Sequence, residues 1–98
     1  MIFEELQSIG LPVVYGVARS GMKPPYLSYR GNGQDTMAAD NSYIWRENTY
    51  VIEYYFIQKD SEQEDQIEQA LLENGYLYEK SEDVYLEEDG VFLIYYYI

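Results

Sequence analysis

Tyr50-Val51-Ile52-Glu53-Tyr54-Tyr55-Phe56 alternates in a way that only a strand can use. Successive strand side chains point to opposite faces, so Tyr50, Ile52, Tyr54 and Phe56 share one face. Thr49, Val51, Glu53 and Tyr55 share the other. The first face is wholly apolar or aromatic, which specifies the register and calls for a cover. The strand signal as a whole runs from Tyr43 to Ile57.

The cover follows directly. Lys59-Asp60 ends the strand, and Ser61-Glu62-Gln63-Glu64 has the form of a capping box. The helix it opens carries Ile67, Ala70 and Leu71 on one face with Leu72 beside them, while Glu62, Asp65, Glu68 and Glu73 lie largely toward solvent. Asn74-Gly75 closes it, glycine being suited to a left-handed position after a helix.

Upstream, residues 1–9 read as a short helix with Ile2, Leu6 and Ile9 on one face. Glu4 and Glu5 lie near its start, where the helix dipole favours negative charge, and Gly10 and Pro12 stop it. Val13 to Val17 is a β-branched and aromatic strand, and Arg19 to Pro25 a connection whose two prolines delay the next strand to Tyr26. That strand runs to Arg30. Gly31 to Asn41 shows no periodicity and reads as a long loop. Downstream, Tyr76 to Leu86 reads as an alternating strand, irregular around Ser81-Glu82-Asp83. Asp89-Gly90 suits a type I′ turn, and Val91 to Ile98 is a final strand. The order α-β-β-β-α-β-β predicts a single α+β domain over residues 1–98, a mainly antiparallel sheet of about five strands with both helices on one face.

Composition narrows the chemistry. The 98 residues carry 18 acidic and 6 basic side chains, a net charge of −12, and neither cysteine nor histidine. That balance argues against a grip on nucleic acid or an anionic membrane. It also removes disulfides, thiolate and serine–histidine catalysis and the commonest metal ligands. No enzyme activity and no cofactor are expected. The acidic residues Glu79, Glu82, Asp83, Glu87, Glu88 and Asp89 surround a hairpin and lack calcium-site spacing, so they read as a solvated rim. Gly31-Asn32-Gly33 lacks the following helix and lysine of a phosphate loop and reads as a turn. The opening Met1-Ile2-Phe3-Glu4-Glu5 has no basic region or long apolar run, so no signal peptide is expected and a cytosolic protein is the default.

The thirteen tyrosines point to association. Tyr50 and Tyr54 are the best core candidates, but a domain this small cannot bury them all. The last strand is apolar on both faces, a pattern usual for strands covered on both sides. Two helices on one face cannot do that, so the second face is expected to meet another chain. Tyrosine and tryptophan are enriched at such interfaces. The candidate interface residues are Met37, Ala38, Ala39, Asp40, Asn41, Tyr43, Trp45, Tyr95, Tyr96 and Tyr97. For Met37 to Asn41, local packing and partner contact both stay open. Stacking on single-stranded nucleic acid would need basic residues beside the rings; Arg19, Lys23, Arg30 and Arg46 gather in the N-terminal half only.

Four short segments carry a resemblance: Gly10-Leu11-Pro12, Val14-Tyr15-Gly16, Lys23-Pro24-Pro25-Tyr26 and Ala38-Ala39-Asp40-Asn41. Followed by Tyr50–Phe56, the Lys59-Asp60 corner, the acidic helix and Tyr78-Glu79-Lys80, they span nearly the whole chain. In this order they resemble small tail-completion proteins of siphophages and Gram-positive prophages. The resemblance implies an α+β virion structural protein of the tail-terminator or head–tail-joining type. Such proteins form a homo-oligomeric ring, commonly a hexamer, at the head-proximal end of the tail tube. Their implied partners are copies of the chain itself, the tail tube protein and the head connector protein. DNA passes through the ring without specific binding, and no membrane is involved. The implied location is the bacterial cytoplasm during assembly and then the virion head–tail junction. The family offers no catalytic residues to carry over. The alternative is an acidic mimic of DNA that inhibits a host DNA-binding enzyme.

Overall fold

A computed structural model describes residues 2–98; residue 1, included above in the first helix, lies outside the described residues. The elements are α1 (Ile2–Gln7), β1 (Val13–Tyr15), β2 (Tyr26–Ala39), β3 (Ser42–Phe56), α2 (Ser61–Glu73), β4 (Glu79–Lys80), β5 (Val84–Leu86) and β6 (Val91–Tyr97). They form a six-stranded sheet in the order β1-β2-β3-β6-β4, with β5 also paired to β6. Only β1 and β2 run parallel; the other pairs are antiparallel. The chain is a single α+β domain of the expected order.

Both helices lie on one face of the sheet. Ile2 and Leu6 of α1 and Ile67 and Leu71 of α2 join Leu27, Ile52, Tyr54, Phe56, Ile94 and Tyr96 in one buried cluster. Full burial of each aliphatic side chain contributes roughly 1.5–3 kcal/mol toward holding the helices on the sheet. Tyr54, expected in the core, is buried there; Tyr50 is half-buried at its edge.

The cap of α2 sits one residue earlier than the capping-box pattern implies. Asp60 is the N-cap, and its side chain accepts from the Gln63 N–H at 3.1 Å. Its shorter carboxylate reaches that amide directly. Glu64 is thereby freed to turn inward, where it is only 3% exposed.

Two turns exchange roles relative to the sequence reading. Gly31–Asn41 is not a loop. β2 continues through it to Ala39 and reverses at Asp40-Asn41, whose φ angles are 53° and 64°. Positive φ at both central residues is what a type I′ hairpin turn needs, and Asp and Asn tolerate it better than other side-chain-bearing residues. At the other hairpin, Leu86 pairs with Val91, so the connection has four residues and the Asp89 and Gly90 N–H groups both donate to Leu86 O. The two-residue turn is therefore at Asp40-Asn41, and Asp89-Gly90 belongs to the longer connection.

The strand expected from Tyr76 to Leu86 is regular only at Glu79–Lys80 and Val84–Leu86. Ser81 carries the ladder past the end of β4. Its N–H donates to Tyr95 O at 2.9 Å and its Oγ accepts from the Tyr95 N–H at 2.8 Å.

Candidate functional site

β6 accompanies β3 only from Val51 to Phe56, with Ile98 extending the pairing to Tyr50. β1 accompanies β2 only at Leu27–Tyr29. Beyond those limits β2 and β3 have only each other. Every residue from Arg30 to Asn48 is exposed. The result is a two-stranded arm, about 30 Å long at the usual rise per residue. It stretches the molecule to 51 × 27 × 23 Å and gives a radius of gyration of 15.0 Å, against about 13 Å for a compact chain of this size.

Two irregularities shape the arm. At its base the register shifts between Gly31 and Gln34, where Gly33 has φ 87°. An extra residue there is a bulge, which bends and twists the pair as it leaves the body. Thr49 Oγ1 donates to Asn32 O at 2.7 Å across it, and Gln34 Nε2 donates to Asn48 Oδ1 at 2.9 Å just beyond. Near the tip a second shift between Met37 and Ala38 leaves Ile44 as the extra residue.

The tip gathers seven of the ten expected interface residues. Met37 faces Trp45 directly, Ala38 faces Tyr43, and Ala39, Asp40 and Asn41 make the turn. Met37, Tyr43 and Trp45 are 50%, 62% and 44% exposed, and Ile44, which the sequence reading passed over, is 62% exposed. An isolated two-stranded hairpin is marginally stable in water, so four large apolar side chains on one tip without a core of their own favour burial against something else.

The remaining three expected residues divide by the pleat of β6. Tyr95 and Tyr97 lie on the sheet face away from the helices, with their rings stacked at 6.0 Å. Tyr96 does not belong with them. It is fully buried in the helix-side core, and its hydroxyl donates to Glu68 Oε2 at 2.8 Å. The three-tyrosine run alternates like any strand, so its middle ring must take the other face.

The helix-free face needs less covering than two-sided hydrophobicity suggested. Val51 lies opposite Tyr97 and Leu93 opposite Tyr55, and both aliphatic residues are buried. Large rings shield the small residues beside them. Glu53 sits in the middle of this face, accepting from Tyr55 Oη at 2.9 Å and Ser28 Oγ at 3.4 Å, with Arg30 Nε at 3.7 Å. Tyr55 stacks on Tyr26 at 4.7 Å. Burial, together with the Glu53 carboxylate that accepts its proton, pushes the Tyr55 phenol well above its ordinary range.

A polar network on the helix side was invisible in the sequence. Lys80 Nζ lies 2.9 Å from Glu64 Oε1 and 2.8 Å from Glu68 Oε2. Lys59 Nζ lies 2.8 Å from Glu64 Oε2 and 3.0 Å from Asp83 Oδ2. Glu68, expected toward solvent, also accepts from Tyr78 Oη at 3.0 Å. Burial alone would raise its carboxyl, but donation from Lys80, Tyr96 and Tyr78 holds it below its ordinary value. This network fastens α2 to β4 and the corner before α2, and it neutralises two helix carboxylates. Glu82, Glu87, Glu88 and Asp89, by contrast, stay outside this network and are exposed as expected.

No protein-family model matches the sequence, and no curated protein matches it. Among the described residues no helix is long and apolar enough to cross a membrane.

Proposed function

We propose that the protein is an assembly subunit of a phage or prophage tail, forming a ring at the head-proximal end of the tail tube that ends tube growth and joins tail to head. The observation that carries this reading is the projecting arm with Met37, Tyr43, Ile44 and Trp45 exposed at its tip. An arm reaching beyond its own core is the geometry of a subunit that completes its packing on a neighbour or on the tube. The exposed acidic surface fits a passage through which DNA slides, because like charge keeps phosphate from sticking. The resemblance to tail-completion proteins supplies the biological setting. The DNA-mimic alternative is the weaker reading, since it needs free carboxylates and Glu64 and Glu68 are already paired.

Trp45 is the sole tryptophan, so it reports on the arm alone. Its emission is expected to shift to shorter wavelength, and its quenching by acrylamide to fall, when the protein assembles or meets tail tubes. Unchanged emission across a concentration series in which light scattering shows assembly would remove the arm from the interface. Particles from a deletion mutant test the setting: filled heads beside unattached, overlong tails are the expected phenotype.

A further inference from the structure

The two faces of the arm carry opposite charge. Between its two register shifts Asp35 lies directly opposite Glu47, Thr36 opposite Arg46 and Met37 opposite Trp45. Residues opposite each other in a strand pair share a face, and neighbours along a strand alternate between faces. One face therefore carries Asp35 and Glu47, with Met37 and Trp45 beyond them toward the tip. The other carries Gln34, Thr36, Arg46 and Asn48, then Ala38 and Tyr43 past the second shift. Asp35, Arg46 and Glu47 are exposed and make no ion pair among the described residues.

This leaves a carboxylate pair without a cation. Like charges directly opposite each other on a ladder are destabilising. Arg46, the only basic residue between Arg30 and Lys59, adjoins Glu47 in sequence but lies on the other side of the ribbon, so the two do not meet within one copy. At the foot of the acidic face Asp35 lines a slot of about 470 Å³ with Leu77, Glu79 and Tyr97, and no described residue lining it is basic. The body holds its bases elsewhere. Lys59 and Lys80 are taken by Glu64, and Arg19 and Arg30 share a pocket with Glu53 and Asp89.

We propose that the arms of neighbouring copies stack face on face and point the same way, with Arg46 of one copy over the Asp35–Glu47 pair of the next and Tyr43 against Met37 and Trp45. The occupant is a second copy because both faces run in the same order, charge first and aromatic residue nearer the tip. Stacked in one direction, two arms set charge on opposite charge and ring on apolar side chain. Stacked in opposite directions, they set rings on charges. Stacked sheets lie about 10 Å apart, a gap that an arginine and a carboxylate side chain bridge together, and a guanidinium has donors enough for two carboxylates. The two faces differ, so the contact is heterologous and repeats into a ring or a filament. The inference rests on the reading that the arm is an interface of a self-assembling subunit, and it adds which faces meet and in which direction.

Charge exchange on the arm tests it. One variant carries Arg46→Glu, and a second Asp35→Lys with Glu47→Lys, which keeps a like-charge pair on the ladder. Glu87→Lys with Glu88→Lys makes the same change of net charge on the body and serves as control. Circular dichroism and thermal unfolding establish that each is folded. Sedimentation velocity at low and high salt is run on the wild type, the three variants and an equimolar mixture of the two arm variants. Wild-type assembly is expected to weaken with salt, and association of either arm variant to fall by about tenfold or more. The control should assemble no more weakly than the wild type. The mixture should recover, because each altered face finds one of opposite sign. Wild-type assembly that neither arm variant weakens would overturn the stacking and leave self-assembly standing. Weakening without recovery in the mixture, or weakening matched by the control, would also overturn the stacking. A wild type that stays monomeric at low salt and high concentration would overturn stacking and self-assembly together.

Discussion

Tyr96 donates its hydroxyl to Glu68 across the helix–sheet interface at 2.8 Å, joining the last strand to the middle of α2. The same carboxylate receives Lys80 and Tyr78. A residue whose neighbours Tyr95 and Tyr97 face outward is thus one of the most deeply buried groups in the molecule. Replacing it by Phe keeps the ring and removes one donor to a charged acceptor, an expected loss of about 1.5–3 kcal/mol. Tyr96→Ala also removes the ring and should cost about 3–5 kcal/mol. Urea denaturation of the two variants separates the terms.

Lys80 is the hinge of that network, and its dependence on pH has a definite sign. Burial opposes its charge, but Glu68 and Glu64 outweigh this and raise its pKa. A raised folded value contributes stability that is complete below 10.5 and lost as pH climbs through the folded value. Glu68 is lowered, so its contribution is complete above 4.5 and lost as pH falls through its folded value. Lys80→Met should destabilise by about 2 kcal/mol at neutral pH, discounted for its partial exposure. The difference from wild type should shrink under acid, and denaturation midpoints at several pH values check it.

Ionisation of the buried tyrosines should be delayed. Burial pushes Tyr54 and Tyr76 up to about 12, and Tyr55 and Tyr96 rise further. These raised values favour the neutral phenol in the folded state, so stability falls as pH rises above 10.0. Phenolate absorbance is expected to show Tyr54, Tyr55, Tyr76 and Tyr96 ionising only together with unfolding. Ionisation of these four at 10.0 while the circular dichroism stays native would contradict the burial pattern.

The arm should be locally soft. Its backbone bonds have no third strand beside them, so amides from Gly33 to Asn48 are expected to exchange far faster than those of β3 from Val51 to Phe56. Hydrogen exchange read by mass spectrometry resolves the two halves of the same strand. Asn41→Val places a β-branched residue at φ 64° and should destabilise the hairpin by about 1–2 kcal/mol without moving the global midpoint. Asn41→Gly should leave the hairpin formed.

The alternation of Tyr50 to Phe56 and the apolar face of Ile67 and Leu71 were legible because each is a local period matched to one buried surface. The β3 half of the arm was legible from Tyr43 on, but the β2 half was not. Gly31 to Ala39 has no buried side, so period two left no mark on it, and Asp40-Asn41 passed for part of a long loop instead of the two-residue turn itself. Met37 to Asn41, Tyr43 and Trp45 were still singled out, because exposed aromatic and small apolar residues carry their own signal. Glu68 and Tyr96 were misplaced for a different reason. Their partners are 28 residues apart, and nothing in either neighbourhood marks the other.

The sequence by itself determined the α+β order, the one-sided helical cover and the charge imbalance, since propensity, periodicity and composition are properties of short segments. Only the tertiary structure decided where the tyrosines and carboxylates go. It set Tyr96 and Glu68 inward as a pair and left Tyr95 and Tyr97 outside. These outcomes depend on strand order and on which residues face one another across the sheet, and such long-range pairing is fixed only when the whole chain closes around its core.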